Sequence, residues 1–174
     1  MVATQPTQQD DIKTLADLIK ETRIAIFSTV LPDGTIHSRP MGTQAEPFDG
    51  TAWFFTDVGS EKTHEIKNDQ HVNVSYANPS ANTYVCMIGK ASVVHDRVKA
   101  KQLWTPFMKA WFPKGVEDPS LALIRVDVEQ AEYWSGPSST LVKIAGLAKA
   151  LITGQRINPG KNEKIDLDAV SSPS

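Results

Sequence analysis

The chain has 174 residues, 18 Lys and Arg against 20 Asp and Glu, a net charge of −2 and 40% hydrophobic residues. That is the size and make-up of one ordinary folded domain, and it excludes a mainly disordered chain, a collagen, a coiled coil and a protein working through bulk positive charge. A lone cysteine, Cys86, excludes an internal disulfide, no apolar run reaches a membrane span, and the polar start from Met1 carries no leader pattern, so the expectation is a cytoplasmic protein.

Residues 1–9 are polar and are expected to be frayed. Asp10 or Asp11 then caps a helix that puts Ile12, Leu15, Leu18 and Ile19 on one stripe. From Arg23 to Val30 the period changes to two, with Ala25, Phe27 and Thr29 opposite Ile24, Ile26, Ser28 and Val30. Pro32-Asp33-Gly34 turns the chain into a second strand, Thr35 to Gln44, where Pro40 marks an edge, a bulge or an opening in the ladder. Thr51 to Thr56 is a third strand, and Ser60 opens a short helix to Asn68. His71 to Ala77 and Thr83 to His95 are the fourth and fifth strands, the latter bent or bulged at Gly89. Arg97 to Trp111 reads as a helix broken at Pro106, Leu121 to Trp134 as a sixth strand, and Leu141 to Ile152 as a last helix. Six strands with few helices predict a mainly β (α+β) fold, a small antiparallel barrel over residues 10–153, followed by a polar tail from 154 to 174.

Two stretches point to chemistry. A helix N-terminus carries free N–H groups and partial positive charge, so it favours acids in its first turn. After Ser60 only Glu61 obeys; Lys62, Thr63 and His64 follow instead. Hydroxyls plus a lysine beside free N–H groups make a phosphate cradle, to which Thr56 adds a hydroxyl. The plain alternative is a solvated surface helix. The second stretch is His37 to Gln44, where Arg39 precedes Pro40. A ladder interrupted by proline leaves backbone groups for a planar heterocycle, and the plain alternative is an edge strand blunted against aggregation.

Other chemistries lack support. His37, His64, His71 and His95 have no metal-ligand spacing, so no metal is expected. There is no GxSxG, no GxGxxG and no phosphate loop of the Walker type. Cys86, between Val85 and Met87, reads as a small buried hydrophobe.

The order of the pieces carries more than any one of them. Arg39-Pro40-Met41, Phe55-Thr56, Ser60-Glu61-Lys62, Gly89 and Glu132-Tyr133-Trp134-Ser135-Gly136 resemble the FMN-binding split barrels, the pyridoxamine 5′-phosphate oxidase superfamily, and within it the general stress protein branch. The resemblance implies a six-stranded Greek-key barrel and a homodimer with FMN at its interface. It implies that Arg39, Pro40, Met41 and Gln44 line the flavin ring and ribityl chain. Phe55 and Thr56 would then contact ribityl and phosphate, Ser60 and Lys62 would hold the phosphate, and Trp134 would approach the flavin from the partner subunit. The departures are specific. The oxidase has Arg-Lys where this chain has Glu61-Lys62, and Lys where it has Gln44. Its substrate-binding Arg-Leu-His-Asp-Arg run is replaced by PSSTL at Pro137 to Leu141, which argues against pyridoxal phosphate synthesis. The implied function is an FMN-dependent oxidoreductase of unknown substrate; the alternative is a non-catalytic FMN binder or stress-response protein.

Overall fold

A computed structural model describes residues 7–44, 46–136 and 161–167. Helix α1 (Gln8–Ile19) starts two residues before the expected aspartates. Its N-cap is Thr7, whose hydroxyl accepts from the Asp10 N–H while the Asp10 carboxylate accepts from the Thr7 N–H, closing a capping box. Leu15 carries the apolar stripe fully into the core.

The strands are β1 (Ile24–Val30), β2 (Ile36–Gly42), β3 (Thr51–Asp57), β4 (His71–Asn78), β5 (Thr83–Val94), β6 (Leu121–Ser135) and β7 (Lys161–Asp166). Helix α2 (Glu61–Asn68) follows β3, and α3 (Arg97–Leu103) follows β5. All strand pairs are antiparallel, in the order β2-β1-β4-β5-β6-β3, with β7 also on β6. The mainly β, antiparallel expectation therefore holds, but the strand number is corrected from six to seven among the described residues, and β2 and β3 end the sheet without pairing to each other. The seventh strand lies in the stretch read as a polar tail. Only Ile165 and Leu167 there are apolar, yet both are buried in the core, because strand alternation needs few apolar positions when one face is solvated.

The long β6 explains the layout. One side pairs with β5 along its whole length; the other pairs first with β3 through Leu121–Asp127 and then with β7 through Gln130–Ser135. Gly89 sits at the register shift of β5 on β6. A Cβ there would lie 2.1 Å from the Asp127 carbonyl oxygen, so the bulge requires glycine for close backbone approach. Pro40 occupies an edge strand, but the β1–β2 register runs unbroken through the Ile26–Pro40 pair, so the ladder is not interrupted there.

Inward residues of the sheet, Phe27, Phe54, Val74, Met87 and Ile124, form the main core with Leu15 and Ile66 from the helices. Phe27 and Phe54 meet edge to face at 5.6 Å. A second apolar cluster gathers Phe55, Leu121 and Leu123 under α3 and Phe112. The segment read as one broken helix, Arg97 to Trp111, is α3 followed by a 3-10 turn at Pro106–Ala110, with proline at its start as expected. Cys86 is corrected: it is half-buried on the outward sheet face, 3.4 Å from the Ser75 hydroxyl, not a core residue. The predicted helix Leu141 to Ile152 lies outside the described residues. Among the described residues no helix is long and apolar enough to cross a membrane.

Candidate functional site

Helix α2 packs its inner face, Thr63, Glu65 and Ile66, against the sheet. Alternation points Thr29 of β1 and His37 and Arg39 of β2 to the same side. The result is a polar network centred on Glu65. Its Oε2 accepts from Arg39 Nη2 at 2.6 Å and from the Thr29 hydroxyl at 2.6 Å; its Oε1 lies 2.9 Å from His37 Nδ1. Arg39 Nη1 donates to the Thr29 oxygen at 2.8 Å, closing the ring. Burial pushes the Glu65 carboxyl up, but the hydrogen bonds from Thr29 and His37 and the charge of Arg39 outweigh it and hold the group below the usual carboxylate value.

Lys62, one turn before Glu65, is in the opposite condition. It is half-buried and makes no ion pair among the described residues. Burial and then the neighbouring charge of Arg39 push its ammonium down, against a partial upward pull from Asp57, Glu65 and Glu61. Ser60 takes the N-cap backbone conformation of α2, but its side chain makes no capping bond; its Oγ lies 3.2 Å from the Thr56 hydroxyl instead. The Thr56 and Ser60 hydroxyls thus meet at the start of α2, whose first N–H groups are free of side-chain caps, and the Lys62 ammonium one turn on lies within electrostatic reach of Arg39. This donor set is suited to a phosphate group.

Of the residues expected from sequence, Thr56 and Ser60 meet at the start of α2, and Arg39 and Lys62 lie within electrostatic reach of each other. Met41 is buried in the main core, and the Phe55 ring packs edge to face on Trp104 at 5.9 Å, in the second cluster. Pro40 is exposed on the sheet's outer face. Gln44 lies beyond the end of β2, its Nε2 donating to the Gly42 carbonyl at 3.2 Å. Trp134 is half-buried, paired with Tyr84 of β5 and Asn162 of β7.

The sequence reading missed Thr29, His37 and Glu65. Their signal was three polar residues, Thr29, His37 and Arg39, on core-facing strand positions, which demand a buried counter-charge. His37, Glu61 and Glu65 also bring potential metal-ligand atoms within 4.8 Å of one another, which their spacing in sequence conceals. Glu65 is already committed to Arg39 and Thr29, so this cluster is read as part of the network.

Comparison with known proteins places the chain. The family model described as pyridoxamine 5′-phosphate oxidase like matches residues 10–158. Protein bli-3 of Neurospora crassa is 32% identical over 179 residues, covering 97% of this chain and 86% of that protein. The general stress FMN/FAD binding protein of Xanthomonas citri is 27% identical with a TM-score of 0.65, covering 76% of this chain and 93% of that one. General stress protein 26 of Bacillus anthracis is 27% identical with a TM-score of 0.63, covering 70% and 92%. A general stress protein 26 of Jannaschia, at 20% identity and a TM-score of 0.74 over 90% of this chain and 98% of that one, shares the fold. With its match running from the first helix past the sixth strand, this chain belongs to the pyridoxamine 5′-phosphate oxidase-like family.

Proposed function

We propose that the chain is an FMN-binding flavoprotein of the general stress type, a flavin-dependent oxidoreductase acting as a homodimer on a split-barrel scaffold. The observation that carries this is Lys62: a half-buried ammonium near Arg39 with no ion-pair partner among the described residues, on a helix whose start brings the Ser60 and Thr56 hydroxyls together. Such an arrangement is costly until an anion arrives. Lys62, Ser60 and Thr56 hold the phosphate, and Arg39, kept in place by Glu65 and Thr29, adds positive charge at its edge. The ring lies along the β2 edge, past the backbone of Pro40 and Met41 toward Gln44, and Phe55 stiffens the strand that presents Thr56. When bound, FMN supplies two-electron redox chemistry, and the protein supplies position and electrostatics.

A second copy is supported by the outer sheet face. Ile24 and Ile26 of β1 and Ile88 and Tyr84 of β5 are exposed there. Strand register aligns Pro40, Ile26, Ser75 and Cys86 in one row across four strands, and sets Tyr84 beside Trp134. Exposed Ile24, Ile26, Ile88 and Tyr84 on one sheet face favour an interaction surface there, with Trp134 beside Tyr84 at its edge. Sedimentation velocity is expected to give a dimer; a monomer at micromolar concentration removes the interface cofactor geometry.

The primary test is the visible spectrum with and without added FMN. FMN fluorescence is expected to quench saturably. Lys62→Glu is expected to weaken affinity roughly tenfold to a hundredfold, since a charge-assisted contact contributes about 1.5–3 kcal/mol. No binding by the native chain ends the proposal. Saturable binding without reduction by NADH or NADPH under anaerobic conditions selects the non-catalytic binder.

A further inference from the structure

A cavity of about 320 Å³ opens between the end of α1, Thr43, Gln44 and residues 46–49, and the start of β3. That volume lies at the small end of the ~300–1,000 Å³ range of ligand sites. Its walls include Ile19, Phe48, Ala52 and the Trp53 ring. None of Arg39, Lys62, Ser60, Thr56 or Glu65 lines it.

The polar groups around it are nearly all committed to one another. Asp17 pairs with Lys13 and Lys20 at 3.1 and 3.2 Å. Glu46 pairs with Lys99 at 2.6 Å, and that ammonium stands 5.1 Å over the Trp53 ring. The Thr43 hydroxyl donates to the Thr22 carbonyl at 2.7 Å, and Asp49 accepts from the Thr51 N–H at 3.0 Å. Gln44 spends its amide donor on Gly42.

Tyr76 of β4 is the exception. It lines the cavity, is 5% exposed, and its hydroxyl has no hydrogen-bond partner among the described residues. Burial pushes the phenol upward, so it remains an O–H donor across the physiological range. The fully buried, unpaired side-chain polar atom among the described residues is Thr22 Oγ1, so the Tyr76 hydroxyl is not sealed in and is open to the cavity its residue lines. The rim charges are neutralised, and Asp49 is left as an unpaired exposed carboxylate. An anionic ligand would find Lys20 and Lys99 already paired and would meet Asp49.

We propose that this cavity binds a small, planar aromatic molecule that bears a carbonyl group and no negative charge, its ring against Trp53 and its oxygen accepting the Tyr76 hydrogen bond. The cavity shares Gln44 with the proposed flavin side but none of the phosphate-corner residues, and its test needs no FMN.

The test uses a matched pair of probes, 1-indanone and indane, which share a shape and differ in the carbonyl. Saturation-transfer NMR and thermal-shift titration of the full chain measure both. Native protein is expected to bind 1-indanone saturably and about fivefold more tightly than indane. Tyr76→Phe removes one oxygen that has no protein partner, and it is expected to bring the two probes to equal affinity. Ala16→Phe, placed on the cavity wall, is expected to abolish both, while Lys62→Glu leaves both unchanged. Equal affinity of the probes for native protein, a preference that survives Tyr76→Phe, or no saturable binding of either probe overturns the assignment. If Tyr76→Phe unfolds, the probe preference in native protein and its loss in Ala16→Phe still decide.

Discussion

Arg39 and Lys62 are cations within electrostatic reach of one another, and they live under different rules. Arg39 is clamped: its two terminal nitrogens reach Thr29 and Glu65, and its side chain is 15% exposed. Lys62, on the helix that carries Glu65, is pushed down by burial and by Arg39 itself. The difference teaches that charge near a site serves two purposes. A neutralised guanidinium with fixed geometry builds the frame; an uncompensated ammonium keeps the frame ready for an anion.

The comparison breaks most visibly at Glu65. Glu65→Ala leaves the Arg39 charge buried without its carboxylate and is expected to lower stability by roughly 3 kcal/mol, read by urea unfolding. The Arg39→Met/Glu65→Leu pair is expected to recover most of that. The native Glu65 carboxyl sits below its unfolded value. Its contribution is therefore present above the unfolded value, about 4.3, and is lost as pH falls through the folded value. The native stability curve is thus expected to fall more steeply below about pH 4.3 than that of Glu65→Ala, and parallel acid limbs would remove Glu65 from the frame.

A smaller effect of opposite sign is expected at Lys62. A lysine held below its ordinary value has its charged form penalised by folding, and that penalty acts at all pH below its folded value. Lys62→Met is expected to raise the melting temperature of phosphate-free protein slightly, by about 0.5 kcal/mol or one to two degrees. It is also expected to abolish the stabilisation that added inorganic phosphate gives the native chain. A phosphate shift that persists in Lys62→Met locates the anion elsewhere.

Much of the scaffold is legible from residue order. Alternation in Arg23–Val30 separates Phe27 and Thr29 from Ile26 and Ser28 as the sheet does, and Gly89 announces its bulge. The phosphate corner is half legible: Ser60 and Lys62 break the charge preference of a helix start, and Thr56 ends the preceding strand. Glu65 is illegible on its own, because an acid in a short polar helix is ordinary until the core-facing Arg39 and Thr29 are brought to it from two strands. Phe55 was assigned by motif order, and its ring goes where apolar area is buried. The Tyr76 cavity has no local signature, since it is made by a helix end, a loop and two strands distant in sequence.

The last strand deserves its own consequence. Strand β7 lies beyond residue 158, where the family match stops, yet it supplies Ile165 to the core and a hydrogen-bond partner for the Tyr133 hydroxyl through Glu163. Leu167 then accepts a 2.8 Å hydrogen bond from the Gln8 side chain, while its own N–H donates to Glu129. The first helix and the residue just after β7 are thus fastened to each other. Trimming the chain at residue 158 removes the strand that pairs with Gln130–Ser135 and the hydrogen bond that ties down the start of the first helix, so the trimmed chain is expected to be less stable than the whole one.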